Sequence, residues 1–221
     1  MDAARPASTS NTDSALENAV SSPAAVRSRR HTAAKIVTEV CSPAVVVVLL
    51  PLAVAWQATG HRAGETLLWG LVVAVFSSVL PMAFIISGAR KGRWDGHHVR
   101  NREGRLLPLS LSGVSTAAGL AILFLGHAPR DLIALDIAML GTLIPCIAIT
   151  QAWKISIHSA VAGGAVATIV LLYGPWLLLL VLPLVLIAWS RVQLADHTVA
   201  QVIAGGLVGP IVGGAIFLLV R

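Results

Sequence analysis

A polar segment, residues 190–201, places an arginine and a histidine between two long apolar runs, and it reads SRVQLADHTVAQ. Charge at the edge of a hydrocarbon layer is costly, so an ionisable residue there is usually paired, hydrated or bound to a ligand. Five residues separate Arg191 from His197, and Gln201 lies four residues after His197. If a helix begins near Asp196, His197 and Gln201 share one face, as residues four apart do. The segment therefore predicts a functional site.

Two other polar segments carry residues of the same types. Residues 153–158, WKISIH, place Ser156 and His158 at the start of the next apolar run. A lone histidine there is more often an interfacial or packed residue than a ligand. Residues 89–106 fit two interpretations equally well: a basic juxtamembrane loop that binds lipid headgroups, or part of a phosphate site. The residues of this loop that could bind phosphate are His98, Arg100, Arg102 and Arg105.

The composition determines what kind of element must position these residues. The chain has 221 residues, of which 56% are hydrophobic and 12% charged, with a mean hydropathy of +0.82. These values exclude an ordinary soluble domain and indicate a membrane protein. Cys41 and Cys146 both fall inside apolar runs, which predicts neither a disulfide framework nor a zinc site. The net charge of +6 comes from basic residues beside apolar runs, which favours lipid headgroups and phosphate over nucleic acid as partners.

The hydropathy pattern predicts an all-α polytopic transmembrane helix bundle of six to seven spans over residues 35–221. Residues 1–34 are rich in Ala, Ser, Thr and Arg, so we expect a disordered tail. The tail lacks the apolar run of a signal peptide, so we do not expect a cleavable one. In the last run, glycines at 205, 209 and 213 repeat every fourth residue and predict close approach of another helix. The apolar runs are 36–58, 64–88, 107–126, 130–151, 157–173, 175–190 and 197–219.

With seven spans, the tail and the three polar segments emerge on the same face of the membrane. Thirteen of the sixteen Lys and Arg residues lie on that face, and only Arg62, Arg130 and Arg221 lie on the other. The positive-inside rule therefore predicts a cytoplasmic N-terminus and a cytoplasmic site in an integral protein of the cell membrane. Both histidines lie near helix N-termini, which favour an anion, and arginine is a planar donor suited to phosphate. The combination predicts a phosphate site at the membrane surface.

At this point the sequence resembles the type 2 phosphatidic acid phosphatase (PAP2) superfamily, whose three motifs are Lys-x6-Arg-Pro, Pro-Ser-Gly-His and Ser-Arg-x5-His-x3-Asp. The resemblance covers roughly residues 90–210. Its third motif matches at Ser190, Arg191 and His197, with Gln201 where the family has Asp. The second matches at Ser156 and His158, with Ile155 and Ile157 in place of Pro and Gly. The first matches at Arg105, with Leu106 in place of Pro and His98 in place of Lys, while Arg100 and Arg102 could supply the missing cation.

The resemblance implies a PAP2-like core and metal-independent phosphoryl transfer in two steps, without a cofactor. His197 is then the nucleophile that forms a phosphohistidine, and His158 protonates the leaving oxygen and later activates water. Two histidines provide a nucleophile and a proton donor in the right pKa range. The residues that hold the phosphoryl oxygens are Arg105, Arg191, Ser156, Ser190, Arg102 and His98. Isoprenoid diphosphate and phosphatidic acid are both compatible substrates, and the oligomeric state is left open.

Gln201 is the main departure, because an amide can orient His197 but adds no charge. Asp136, an acid inside an apolar run, is a candidate to supply that charge. Three alternatives to a phosphatase remain. The chain could be a catalytically weak or inactive relative that binds lipid headgroups, a lipid phosphotransferase, or an unrelated helical bundle with accidental matches.

Overall fold

The computed structural model describes residues 23–92, 104 and 106–221, and these form an all-helical protein. In chain order the helices are α1 (Pro23–Val40), α2 (Pro43–Ala58), α3 (Ala63–Arg90), α4 (Leu106–Leu125), α5 (Arg130–Ala152), α6 (Ile157–Tyr173), α7 (Pro175–Gln193) and α8 (Val199–Val220). Helix α3 contains a short π-helical turn, Val75–Val79, and α8 contains another, Gly209–Gly214. Helix α7 begins with a 3-10 turn, Pro175–Leu180.

Five helices of the described chain, α3, α4, α5, α7 and α8, are long and apolar enough to cross a membrane. Helices α1 and α2 pass the same test only together, as one span bent by 42°, which makes six. Helix α6 is apolar but has only 17 residues. The predicted all-α class is therefore confirmed for the described residues, which contain five to six helices long and apolar enough to span a membrane where six to seven spans were predicted, with α6 as a shorter helix.

The first predicted span, 36–58, is broken in the structure. The side chain of Ser42 caps α2 by accepting the backbone N–H of Val45 at 3.5 Å, and Pro43 occupies the first helical position. The tail boundary at residue 34 is also wrong, because residues 23–34 belong to α1. That helix is stabilised by packing against α7, where Thr38 Oγ1 lies 3.0 Å from Ser190 Oγ. Residues 1–22 lie outside the described residues.

Helices α6 and α8 pack side by side and run in the same direction, so their N-termini lie together. The predicted glycine ladder makes this possible. A Cβ on Gly205 would overlap the carbonyl oxygen of Ser156, and a Cβ on Gly209 would lie 2.6 Å from the backbone nitrogen of Gly164. Only glycine therefore lets the two backbones approach so closely at these positions.

The connections separate into two ends of the bundle, as the sequence predicts. At one end, Lys154 Nζ donates to the carbonyl oxygen of Asp196 at 2.6 Å. At the other, Arg130 Nε donates to Val220 and Arg221 Nη1 to Leu171, both at 2.9 Å. We call these the site end and the far end. The main apolar core, which includes Val54, Leu123, Leu132 and Phe217, lies toward the far end, and a smaller cluster of Cys146, Ile155 and Ala160 lies beneath the site end.

Candidate functional site

His197 contacts Gln201, but not through a shared helical face. Helix α8 begins at Val199, three residues after the start expected near Asp196, so His197 lies before the N-cap, Thr198, and a capping box joins Thr198 and Gln201. Gln201 Oε1 accepts the backbone N–H of Thr198 at 3.1 Å and lies 3.2 Å from His197 Nδ1. Because a backbone N–H can only donate, it requires the amide oxygen at this position, and that oxygen in turn requires a proton on Nδ1. In the neutral imidazole this arrangement puts the lone pair on Nε2.

The second predicted segment lies beside the first. Ser156 is the N-cap of α6, where its hydroxyl accepts the backbone N–H of Ser159 at 3.4 Å. Its own backbone N–H donates to the carbonyl oxygen of Gln201 at 3.3 Å, which joins the first turns of α6 and α8. His158 lies in the first turn of α6 and is 8% exposed. His158 and His197 both line one cavity within the bundle.

Arg191 forms a buried ion pair that the sequence analysis missed. Helix α7 ends in a Schellman motif, with Ala195 at a φ of 55° and the backbone N–H of Asp196 bonded to the carbonyl oxygen of Arg191 at 3.1 Å. This turn brings Asp196 Oδ2 to 3.0 Å from Arg191 Nη2, with side-chain exposures of 5% and 1%. A second hydrogen bond, from the backbone N–H of His197 to the same carbonyl at 3.2 Å, ties His197 to the motif. The backbone of His197 is thus bonded to that of Arg191, whose charge is balanced by a carboxylate.

Lys154 is a second residue that the sequence analysis did not assign to the site. Its ammonium group donates to the carbonyl oxygen of Asp196 at 2.6 Å, between the two polar segments. Lys154 is half-buried, so this contact also fixes the connection from α5 to α6. Its position directly before Ile155 and Ser156 is a signal that could have identified it, because a lysine at this interface is costly unless it has a partner.

Ser190 lies apart from the cavity, although the resemblance assigns it to phosphate binding. It is fully buried, and its hydroxyl donates to the carbonyl oxygen of Ile187 at 2.7 Å while contacting Thr38 on α1. Ser190 therefore joins α7 to α1. The predicted residues of the first motif, Arg105, Arg102 and His98, lie outside the described residues, as does Arg100.

Asp136 does not supply the charge that Gln201 lacks. Helix α5 runs from the far end to the site end, and Asp136 precedes its last residue, Ala152, by sixteen positions, about 24 Å along the axis. Its Oδ1 instead accepts the hydroxyl of Ser77 at 3.2 Å. Its other oxygen, Oδ2, has no hydrogen-bond partner among the described residues.

The arrangement is suited to an anion that carries transferable phosphorus. Two parallel helices direct their N-terminal N–H groups and positive dipole ends toward the same end of the bundle. Two histidines share one cavity there, and Nδ1 of one of them, His197, lies 3.2 Å from Gln201 Oε1. Arg191 and Lys154 are cations of the same two polar segments, and both contact Asp196, the residue before His197. A nucleophile, a second titratable imidazole and cations are the groups that phosphoryl transfer through a covalent intermediate requires.

Comparison with known proteins adds no relative. No family model, no curated protein and no solved structure matches the chain. What the fold and the site define is therefore a class: an all-helical membrane protein with a polar, histidine-containing site at one end of the bundle.

Proposed function

We propose that the chain is a membrane-embedded lipid phosphate or diphosphate phosphatase that acts through a phosphohistidine on His197. The observation that carries the proposal is the contact of His197 Nδ1 with Gln201 Oε1 at 3.2 Å. Gln201 Oε1, held by the N–H of Thr198, keeps the proton on Nδ1 and leaves Nε2 as the nucleophile. An amide in place of a carboxylate is therefore sufficient to orient the ring.

In the first step, His197 Nε2 attacks phosphorus and forms a P–N bond while the bond from phosphorus to the leaving oxygen breaks. His158 donates its proton to that oxygen, so that an alcohol or a lipid monophosphate leaves. In the second step, His158 takes a proton from water, which attacks phosphorus and breaks the P–N bond. Inorganic phosphate leaves and both histidines return to their starting states. The arginine and the helix N-termini stabilise the charge that develops on the phosphoryl oxygens.

The site opens into a cavity between helices, and the described chain has no soluble domain to hold a polar substrate. A lipid leaving group, either an isoprenoid or a diacylglycerol, therefore suits the site. The excess of basic residues on the tail and the site-end loops favours a cytoplasmic site in the cell membrane.

A second candidate function is binding of lipid headgroups without turnover. The Arg191–Asp196 pair favours it, because a carboxylate 3.0 Å from Nη2 already balances the charge that phosphate would use. For catalysis, the phosphate must displace Asp196 from the guanidinium of Arg191 or bind that guanidinium together with it. A protein that only binds the headgroup needs no such exchange in a transition state. The two candidates differ in one observable, the covalent phosphohistidine.

The test is phosphate release by purified protein in detergent with EDTA, from farnesyl diphosphate and from phosphatidic acid. Labelled phosphate on the protein is trapped by rapid denaturation in alkali, where phosphohistidine survives. We expect release and trapping in the wild type, and neither in His197→Ala. A matched control is His31→Ala, which removes an exposed histidine of α1 outside the cavity and should leave both signals unchanged.

Trapped label that persists in His197→Ala contradicts the assignment of the nucleophile. Binding of both lipids without release or trapping gives the headgroup-binding function instead. Transfer of the label to an added alcohol in preference to water identifies a phosphotransferase that uses the same first step.

A further inference from the structure

The cavity that contains His158 and His197 extends far into the bundle. Its volume is about 280 Å³, and residues of α2 to α6 form most of its wall. On α6 the wall runs from His158 to Thr168, ten residues or about 15 Å along the helix. On α4 it reaches Thr116, which lies ten residues, again about 15 Å, beyond the first residue of the helix. Because the hydrocarbon core of a bilayer is about 30 Å thick, this depth equals that of one leaflet.

Three of the serine and threonine residues that line the cavity have hydroxyls bonded to the backbone. The hydroxyl of Ser78 donates to the carbonyl oxygen of Ala44 at 2.9 Å, that of Ser112 to Pro108 at 2.8 Å, and that of Thr142 to Ala138 at 2.7 Å. These hydroxyls are satisfied by the backbone, so they offer the cavity their carbon atoms. The rest of the wall is largely aliphatic, including Leu50, Leu135, Met139 and Ala165. A hydrocarbon occupant fits such a wall, whereas a polar one would lose its hydrogen bonds to water.

The volume matches one hydrocarbon chain. An engineered protein cavity of about 150 Å³ holds benzene, so 280 Å³ corresponds to roughly a dozen carbon atoms on the same scale. Two long acyl chains contain far more carbon atoms than that. The volume of the cavity between the helices therefore favours a single-chain lipid over a diacyl lipid.

An opening toward the lipid lies where the first span is broken. A shallow groove at the site end shares Glu39, Ser42, Ala44 and Met82 with the cavity. It continues to Val45 and Ile86, which are 38% and 37% exposed. The gap between the bend of α1–α2 and the C-terminal part of α3 thus connects the bilayer with the cavity. A chain can pass through it sideways, along a lining that is apolar except for Glu39, Ser42 and Arg90.

We propose that this cavity binds the hydrocarbon chain of a single-chain lipid phosphate or diphosphate of about isoprenoid length, with the phosphate group at His197 and His158. The chain passes into the cavity through the gap beside Ser42 and extends to the level of Thr116 and Thr168. This inference rests on the proposed function for the chemistry of the headgroup, but the selection of the chain is a property of the cavity alone.

The experiment measures equilibrium binding of non-hydrolysable phosphonates to the full chain in nanodiscs of uncharged lipid. The probes are isopentenyl phosphonate, farnesyl phosphonate and the phosphonate analogue of dipalmitoyl phosphatidic acid. We expect farnesyl phosphonate to bind at least about tenfold more tightly than the dipalmitoyl analogue, a difference of about 1.4 kcal/mol. Thr116→Phe fills the deep end of the cavity and should weaken farnesyl binding about tenfold, while isopentenyl phosphonate binds as to the wild type.

The matched control is Val114→Phe, which adds the same ring two residues away on the same helix, where the side chain is 69% exposed. It should leave the binding of all probes unchanged. Retained isopentenyl binding shows that the Thr116 variant is folded. If that binding is lost, Thr168→Phe makes the same test from α6. Equal binding of farnesyl and dipalmitoyl probes, or equal effects of the two α4 variants, overturns the inference.

The same preparation separates this inference from the proposed function. Selective binding of farnesyl phosphonate without phosphate release from farnesyl diphosphate leaves the cavity assignment standing and refutes the phosphatase. Equal turnover of farnesyl diphosphate and phosphatidic acid supports the phosphatase and refutes the single-chain cavity.

Discussion

Substitution of Gly205 by alanine should reduce turnover by moving the two histidine segments apart. A Cβ on Gly205 would overlap the carbonyl oxygen of Ser156 and lie 3.2 Å from Ser159 Cβ and 3.3 Å from the backbone nitrogen of Ala160. Cβ atoms essentially never approach other atoms within 3.0 Å, and the atom most affected here is backbone, which cannot rotate away. We therefore expect the N-terminus of α8 to shift relative to that of α6 by about 1 Å, with an overpacking cost of about 1–3 kcal/mol.

Part of that cost is offset, because alanine stabilises a helix by about 0.5–1 kcal/mol relative to glycine. The remaining destabilisation is at most about 2.5 kcal/mol, which should lower the apparent Tm in detergent by no more than several degrees. The effect on chemistry should be larger, since a misplacement of 1 Å costs about 100-fold in rate. The assay is kcat for farnesyl diphosphate hydrolysis together with a thermal unfolding curve for each variant.

The neighbouring Gly206 provides the control, because a Cβ there would meet nothing within 4 Å. Gly206→Ala should keep full activity and an equal or higher Tm. If Gly205→Ala and Gly206→Ala behave alike in both assays, close packing of α6 on α8 does not position the site and the reasoning is refuted.

Three further predictions concern charge and orientation. Gln201→Glu keeps the capping box and adds a carboxylate beside His197, so kcat should rise by roughly tenfold or more. An unchanged or lower kcat means that charge at this position does not limit the reaction. Asp196→Asn leaves the guanidinium of Arg191 buried without its counter-ion, so the protein should lose about 3–5 kcal/mol, and millimolar inorganic phosphate should raise its Tm by more than it raises that of the wild type. An equal effect of phosphate on both proteins places the anion away from Arg191. Ala63 is exposed at the far end, which the predicted topology places outside the cell. The variant Ala63→Cys, made in a background without the two native cysteines, should therefore react with an impermeant maleimide added to intact cells. Labelling only after permeabilisation reverses the predicted topology.

Local spacing was sufficient to predict the part of the site that lies within one or two helical turns. Ser156 and His158 lie at a helix start, and α6 and α8 approach closely at Gly205 and Gly209, as helix geometry predicts. These features depend only on the helical repeat and on backbone sterics, which the sequence specifies directly. The contact of His197 with Gln201 was predicted from helical spacing but arises from the capping box, because His197 precedes the N-cap.

Features that depend on how the chain turns or on which helices meet were not predicted. The ion pair of Arg191 with Asp196 requires a residue with positive φ at Ala195, and alanine gives no sign of that conformation. The break before Pro43 did have a signal, since Ser-Pro is typical of an N-cap followed by a first helical residue, but it lies inside a continuous apolar run. Asp136 appeared to be a candidate charge for the site only because periodicity gives no depth along the bundle axis.

The departures of the second motif also have a packing explanation. Ile155, where the resembled family has Pro, is fully buried against Cys146 and Ala160. It therefore anchors the connection between α5 and α6 at the site end. The sequence shows this residue only as a mismatch, because burial of a connecting residue depends on the helices around it.

The parallel arrangement of α6 and α8 has an electrostatic consequence for the empty protein. Each helix N-terminus carries the equivalent of about half a positive charge, and two such ends held side by side repel each other. Most neighbouring helices in a bundle are antiparallel, so that their dipoles attract, whereas this pair is held together by close contact at glycine. An anion bound between the two ends would replace repulsion by attraction to both. Bound phosphate or vanadate should therefore stabilise the folded protein, and buffers that contain either anion should extend the lifetime of the solubilised protein.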